Sequence, residues 1–133
     1  ADCIGMSYIN GAIDPMGAAG DVRGNAFYYV PLLNLYAAAF PQSALCFTQI
    51  GYFSGEGLES VPASVNWAAA ITLGDQAMAM GHAAALAQSS GRVRLFIVYN
   101  IDGRLDSPLN PQIGWAIVRP DGSCPVCDRL GGG

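Results

Sequence analysis

A chain of 133 residues, 52% apolar and only 12% charged, has the length of one domain and too little charge to coat a small globule, so some apolar surface is expected to face a partner. A net charge of −4, with no lysine and six scattered arginines, argues against a nucleic-acid partner, because phosphate backbones are bound through clusters of basic side chains. Asn34, Gln42, Gln49 and Asp75 interrupt every apolar run short of the roughly 18 to 20 residues that a membrane span requires.

Residues 3–9, CIGMSYI, read as a short strand, and residues 10–25 follow as a loop rich in Gly, Asp and Pro, long enough to carry function. Residues 26–40, AFYYVPLLNLYAAAF, are apolar all round with Pro31 in an early turn, which predicts a helix buried on most sides and stopped by Pro41. Residues 44–53 predict a second strand whose unbroken apolar character suits a parallel strand covered on both faces. After a loop over 54–62, a short helical turn is expected at 65–70 and a longer helix at 73–89. The Thr72-x-x-Asp75 spacing of a capping box opens that helix, and Gly91 stops it.

Residues 93–101, VRLFIVYNI, give the clearest strand signal through their β-branched and aromatic content. A polar loop over 102–112, the apolar run GWAIV and a cysteine-containing tail over 120–133 complete the chain. Strand, helix, strand, helix, strand predicts an α/β fold: one domain, residues 1–133, of parallel β/α units joined by right-handed crossovers.

Parallel strands present functional groups at their carboxyl ends. Here those ends fall at residues 7–10, 49–54 and 99–102, and the two-residue side-chain period puts Ser7, Gln49 and Tyr99 on one face. Tyr8, Tyr52, Tyr99 and Trp115 either stack on a ligand such as a sugar ring or pack into the core. Asp102 and Asp106 either hold a sugar hydroxyl or an ion, or are simply hydrated. His82, in the middle of a helix with no acid or nucleophile near it in sequence, reads as a satisfied or exposed helix residue and not as a base.

The four cysteines, Cys3, Cys46, Cys124 and Cys127, permit three disulfide pairings in an oxidising compartment. Cys124-Pro-Val-Cys127 has the spacing of redox and zinc sites, but only Cys3, Cys46 and His82 remain to complete a metal site, so structural disulfides are favoured and no metal is expected. The chain opens at Ala1 with neither an initiator methionine nor a signal core, so an upstream segment is expected to have been removed or left out. An extracellular or cell-surface location fits.

The segments FTQIGYFS, WAAAITLGDQAMAM and VRLFIVYNID together resemble the last part of the clan-A glycoside hydrolase (β/α)8 barrels, and of relatives in filamentous, often thermophilic bacteria. In that pattern strand seven reads F-T-E-hydrophobic-G-Y/W, and strand eight ends in I-V-W-N-hydrophobic-D. The opening CIGMSYIN is similar to the family's strand six, and GWAIVRPDGSCPVC to its closing segment. The resemblance implies a half-barrel: roughly the last three strands of a TIM barrel, with a sugar cleft at their carboxyl ends. Ser7, Tyr8, Asn10, Tyr52, Tyr99, Asn100 and Asp102 are its expected substrate-binding residues, and no cofactor is implied.

The departures fall on the chemistry. The family's nucleophilic Glu is Gln49 here, the strand-six His or Tyr position is Ser7, and the strand-eight Trp is Tyr99. An amide forms no glycosyl ester and accepts no proton as a general base, and a retaining mechanism needs two carboxyl groups about 5 to 5.5 Å apart. Glu56, seven residues on in a glycine-flanked loop, either swings over the strand ends to compensate or is a hydrated loop charge.

A complete barrel takes about 250 residues, so three strands leave two unpaired edges and an uncovered inner face. Two copies closing one barrel, a complementary barrel half, or a filament built by heterologous contacts would each satisfy them. The expectation is a secreted glycoside hydrolase-like domain, catalytically impaired at Gln49, that forms assemblies or binds polysaccharide. The alternative is the carboxyl-terminal fragment of an active retaining glycosidase.

Overall fold

The computed structural model describes residues 2–9, 28–104, 107 and 109–131. Strand β1 (Ile4–Tyr8) is followed by helix α1 (Tyr29–Ala39), strand β2 (Leu45–Ile50), a 3-10 turn (Ala63–Ala68) and helix α2 (Leu73–Ser90). Strand β3 (Val93–Val98), a second 3-10 turn (Pro111–Gly114) and helix α3 (Pro125–Gly131) complete it. The strands lie in the order β1-β2-β3, and both pairings are parallel, with Ile4 opposite Leu45 and Leu45 opposite Val93. This is the α/β arrangement of parallel β/α units that the sequence predicts.

Both long helices cover the same face of the sheet. The Tyr29 hydroxyl of α1 donates to the Ala83 carbonyl of α2 at 2.7 Å, and the Tyr29 ring stacks on Phe47 of β2 at 5.2 Å between centroids. The core between helices and sheet gathers Met6 and Tyr8 from β1, Leu45, Phe47 and Ile50 from β2, Leu32 and Leu33 from α1, and Met80 and Ala83 from α2. Sequential strand order with helices on one side is the singly wound arrangement, and among the described residues no helix covers the other sheet face.

That openness corrects two expectations. β2 is not covered on both faces, since Thr48 and Gln49 are exposed, and on β3 Leu95 and Ile97 remain 51% and 50% accessible. Nor is α1 buried on most sides: Tyr29, Leu32 and Leu33 face the core while Leu35 is 53% exposed, because among the described residues no layer lies beyond the helix. The apolar runs are real, but their second side is exposed at Thr48, Gln49, Leu95 and Ile97, while Cys46 on that side is buried at its bond to Cys3.

Local signals set the element ends. α2 opens with the predicted capping box: the Asp75 amide donates to Thr72 Oγ1 at 3.0 Å, and the Thr72 amide donates to Asp75 Oδ2 at 3.1 Å. Gly91 closes it in the left-handed region at φ 67°. The unpaired carbonyls at the end of α1 are taken by Arg92, whose guanidinium donates to the carbonyls of Ala37, Phe40 and Ser43. β3 is shorter than predicted because Asn100, at φ 56°, turns the chain out of extended geometry. The cysteine-containing tail, to which the sequence assigns no element, contains α3, anchored by the fully buried Val126.

Candidate functional site

The carboxyl ends of the three strands meet in one place. Ser7 lies directly opposite Gln49, and its hydroxyl donates to Gln49 Oε1 at 3.1 Å, with both side chains exposed. The register between β1 and β2 shifts here, from Met6 opposite Phe47 to Ser7 opposite Gln49, leaving Thr48 as the extra residue. Strict alternation from Leu45 and Phe47 would point Gln49 into the core. The bulge at Thr48 turns it outward and returns Ile50 to the interior, the kind of re-aiming for which bulges recur near functional sites. Thr48 Oγ1 donates to the Met6 carbonyl at 3.0 Å and ties the bulged segment down.

On β3 the chain continues past Val98, and the Tyr99 amide donates to the Ile50 carbonyl at 2.8 Å. The Tyr99 hydroxyl donates to Gln112 Oε1 at 2.9 Å, and Asn100 Nδ2 donates to the Gln112 carbonyl at 2.6 Å. Trp115 closes this end: its indole N–H donates to the Ile9 carbonyl, and its ring meets Phe53 and Tyr99 edge-on at 4.8 and 6.3 Å between centroids. Gly51 lies close beneath it, and a Cβ there would come within 3.3 Å of Trp115 Cδ1 and 3.4 Å of Tyr99 Cβ, a tight fit. Ser7, Gln49, Tyr99, Asn100, Gln112 and Trp115 thus converge at the strand ends.

Other expected site residues stand elsewhere. Tyr8 and Tyr52 are each 1% exposed and cross edge-on at 5.8 Å between centroids, so their rings are core and offer no face to a sugar; burial holds the Tyr52 hydroxyl well above its ordinary range. Asp102 is exposed but committed to Arg104, which binds both carboxylate oxygens, Nε to Oδ1 at 2.9 Å and Nη2 to Oδ2 at 2.6 Å. Those hydrogen bonds lower its carboxyl to about 2. His82 is exposed on α2. Asn10, Asp106 and the loop over 10–25 lie outside the described residues.

Glu56 is engaged at the start of α2. Its Oε2 accepts the Leu73 amide at 2.7 Å in the first turn of α2, where a negative charge also suits the helix dipole. The carboxylate lines a cleft of about 310 Å³ with Leu73, Ile113, Arg119 and Asp121 rather than joining Gln49. Behind this cleft lies a feature that the sequence reading passed over. Arg119 is only 4% exposed, and its Nη2 donates to the carbonyls of Ser54 and Gly114 at 3.3 Å each. Burial lowers its pKa. The one signal was an arginine directly after the apolar run GWAIV.

The cysteines pair as Cys3–Cys46, with 5.8 Å between Cα atoms, and Cys124–Cys127, with 5.2 Å. The first clamps the starts of β1 and β2, opposite the polar ends, and the second lies at the start of α3. Among the described residues no helix is long and apolar enough to cross a membrane.

The fold and the strand ends define a class: a one-sided parallel β/α unit presenting neutral hydrogen-bonding groups and an aromatic wall at its carboxyl end. Known protein families, characterised proteins and solved structures contain no match to the chain.

Proposed function

We infer that this chain is a glycoside hydrolase-like half-barrel whose strand-end site serves for binding and not for turnover, and that it works outside the cell as an assembly-forming, carbohydrate-binding protein. The observation that carries the reading is the Ser7–Gln49 pair. At the position where a retaining glycosidase needs an ionised carboxylate, an exposed amide accepts a hydrogen bond from a serine. The exposed carboxylate of Asp102 is held by Arg104 and stays ionised at neutral pH, so it supplies no general acid.

What remains suits sugar hydroxyls. Amide and hydroxyl groups of Ser7, Gln49, Asn100 and Gln112 both donate and accept, and Tyr99 and Trp115 add apolar area with a polar rim. The open sheet face, with Leu95 and Ile97 half exposed, supports the assembly half of the reading, through another copy or a complementary barrel half.

Calorimetric titration with soluble oligosaccharides, alongside aryl-glycoside assays, tests it. The protein should bind and turn nothing over, and Gln49→Ala should weaken binding about tenfold, the effect of losing one good hydrogen bond. Hydrolysis by the unaltered chain would end the reading. The bulge that aims residue 49 outward favours one alternative, the carboxyl-terminal fragment of a retaining enzyme. In that case Gln49→Glu, combined with the missing barrel half, should gain aryl-glycosidase activity.

A further inference from the structure

The two disulfides occupy opposite environments. Cys46 is 1% exposed, and the Cys3–Cys46 bond joins residues 43 apart in sequence at the starts of adjacent strands. Cys124–Cys127 joins residues only 3 apart, and Cys127 is exposed at the surface. A bond across so short a loop constrains the unfolded chain little, so it contributes less to holding the fold than the first. α3 is anchored independently of it, through Val126 at 0% exposure and through the Arg129 stem, whose Cβ would pack at 3.5 Å against a Cβ at Gly81 of α2.

The two sulfurs of the C-x-x-C pair also differ. Cys124 is partly buried against the main core, whereas Cys127 faces solvent. The Cys127 amide N–H donates to Cys124 Sγ at 3.2 Å, a contact that strengthens as negative charge develops on that sulfur. The sulfur of the more exposed residue is therefore the one a thiolate reaches, and the hydrogen-bonded sulfur is the better leaving group.

We propose that Cys124–Cys127 is a thiol–disulfide exchange site, with Cys127 the attacked sulfur and Cys124 the leaving group, and that its ligand class is a thiol. An incoming thiolate forms a new S–S bond to Cys127, and the Cys124–Cys127 bond breaks with its electron pair going to Cys124 Sγ. A second thiolate then attacks the mixed disulfide, releasing Cys127 as a thiolate. The released sulfurs take protons from water, so the protein disulfide is reduced by two electrons while two thiols are oxidised to one disulfide. Cys3–Cys46 takes no part.

Reduced glutathione is the probe. Added to the folded chain and quenched at intervals with iodoacetamide, it should open Cys124–Cys127 on the order of 100-fold faster than Cys3–Cys46, as read by mass spectrometry of the cysteine peptides. The far-ultraviolet dichroism should stay unchanged. Opening of both pairs at one rate, with one shared urea dependence, would mean that thiols reach them only through global unfolding, and would overturn the proposal. The trapped mixed disulfide then separates the sulfurs. Peptide mapping of the iodoacetamide-quenched intermediate should place glutathione on Cys127 and the carbamidomethyl group on Cys124. Glutathione on Cys124, or equally on both, would overturn the assignment of Cys127 as the attacked atom.

Discussion

Gly114 shows how much a single backbone position can carry. Its carbonyl accepts from the Ser54 amide at 2.8 Å, from Gln76 Nε2 at 3.2 Å and from Arg119 Nη2 at 3.3 Å, and a Cβ on it would overlap the Phe53 ring. Gly114→Ala should therefore destabilise the fold by about 1–3 kcal/mol, the cost of overpacking, read as a lower urea midpoint. Asp102 gives a second prediction at this scale. The Arg104 hydrogen bonds lower its carboxyl to about 2, so Arg104→Ala should return its titration toward 3.8, visible by carbonyl-detected NMR. Because the folded-state value is the lower one, the pair's contribution to stability is present above the ordinary carboxylate range and is lost as pH falls toward about 2. The identity of Gln49 at the strand end was legible from its neighbours in FTQIGYFS. Its outward aim was not, because it depends on the extra residue, Thr48, in a pairing with β1 that lies 42 positions away.

Elements were legible where their ends carry local chemistry. α2 was readable because Thr72, Asp75 and Gly91 are caps whose partners lie within one turn, and β3 because branched and aromatic residues crowd its short span. Thr72→Ala should cost about 1 kcal/mol, the usual effect of losing an N-cap, as measured by thermal unfolding. α3 escaped notice for the opposite reason. Seven residues are too few for intrinsic helix stability, and its order comes from packing Val126 and the Arg129 stem onto α2, which no local pattern announces. The disulfides act at this scale too. Chain entropy for the 43-residue separation of Cys3–Cys46 implies that replacing both cysteines with serine costs about 4 kcal/mol. The same change at Cys124 and Cys127, 3 residues apart, should cost less than half as much by the same relation, roughly 1.5 kcal/mol. Urea unfolding of the two double variants separates these values.

Across the whole molecule, the apolar runs that suggested a two-sided sheet meet helices on one side only. Leu95 and Ile97, at 51% and 50% exposure, project from the same strand as Phe96 and Val98, which pack against the core. Completing the burial of each would return roughly 1 kcal/mol, about half the value of fully burying such a side chain, so two residues supply a modest bias, not an affinity. The remainder must come from backbone pairing, and the outer edges of β1 and β3, which pair with no further strand among the described residues, offer it. An edge of β1 meeting an edge of β3 on another copy continues the parallel order and is a heterologous contact, whereas β3 meeting β3 across a twofold axis is antiparallel. Sedimentation velocity should accordingly show species larger than one chain, growing with concentration. The double variant Leu95→Glu and Ile97→Lys should move the population to monomer without lowering the melting temperature by more than about 2 °C, since both side chains face solvent in the single chain. A monomer that persists in the unaltered protein at high concentration would overturn the assembly reading.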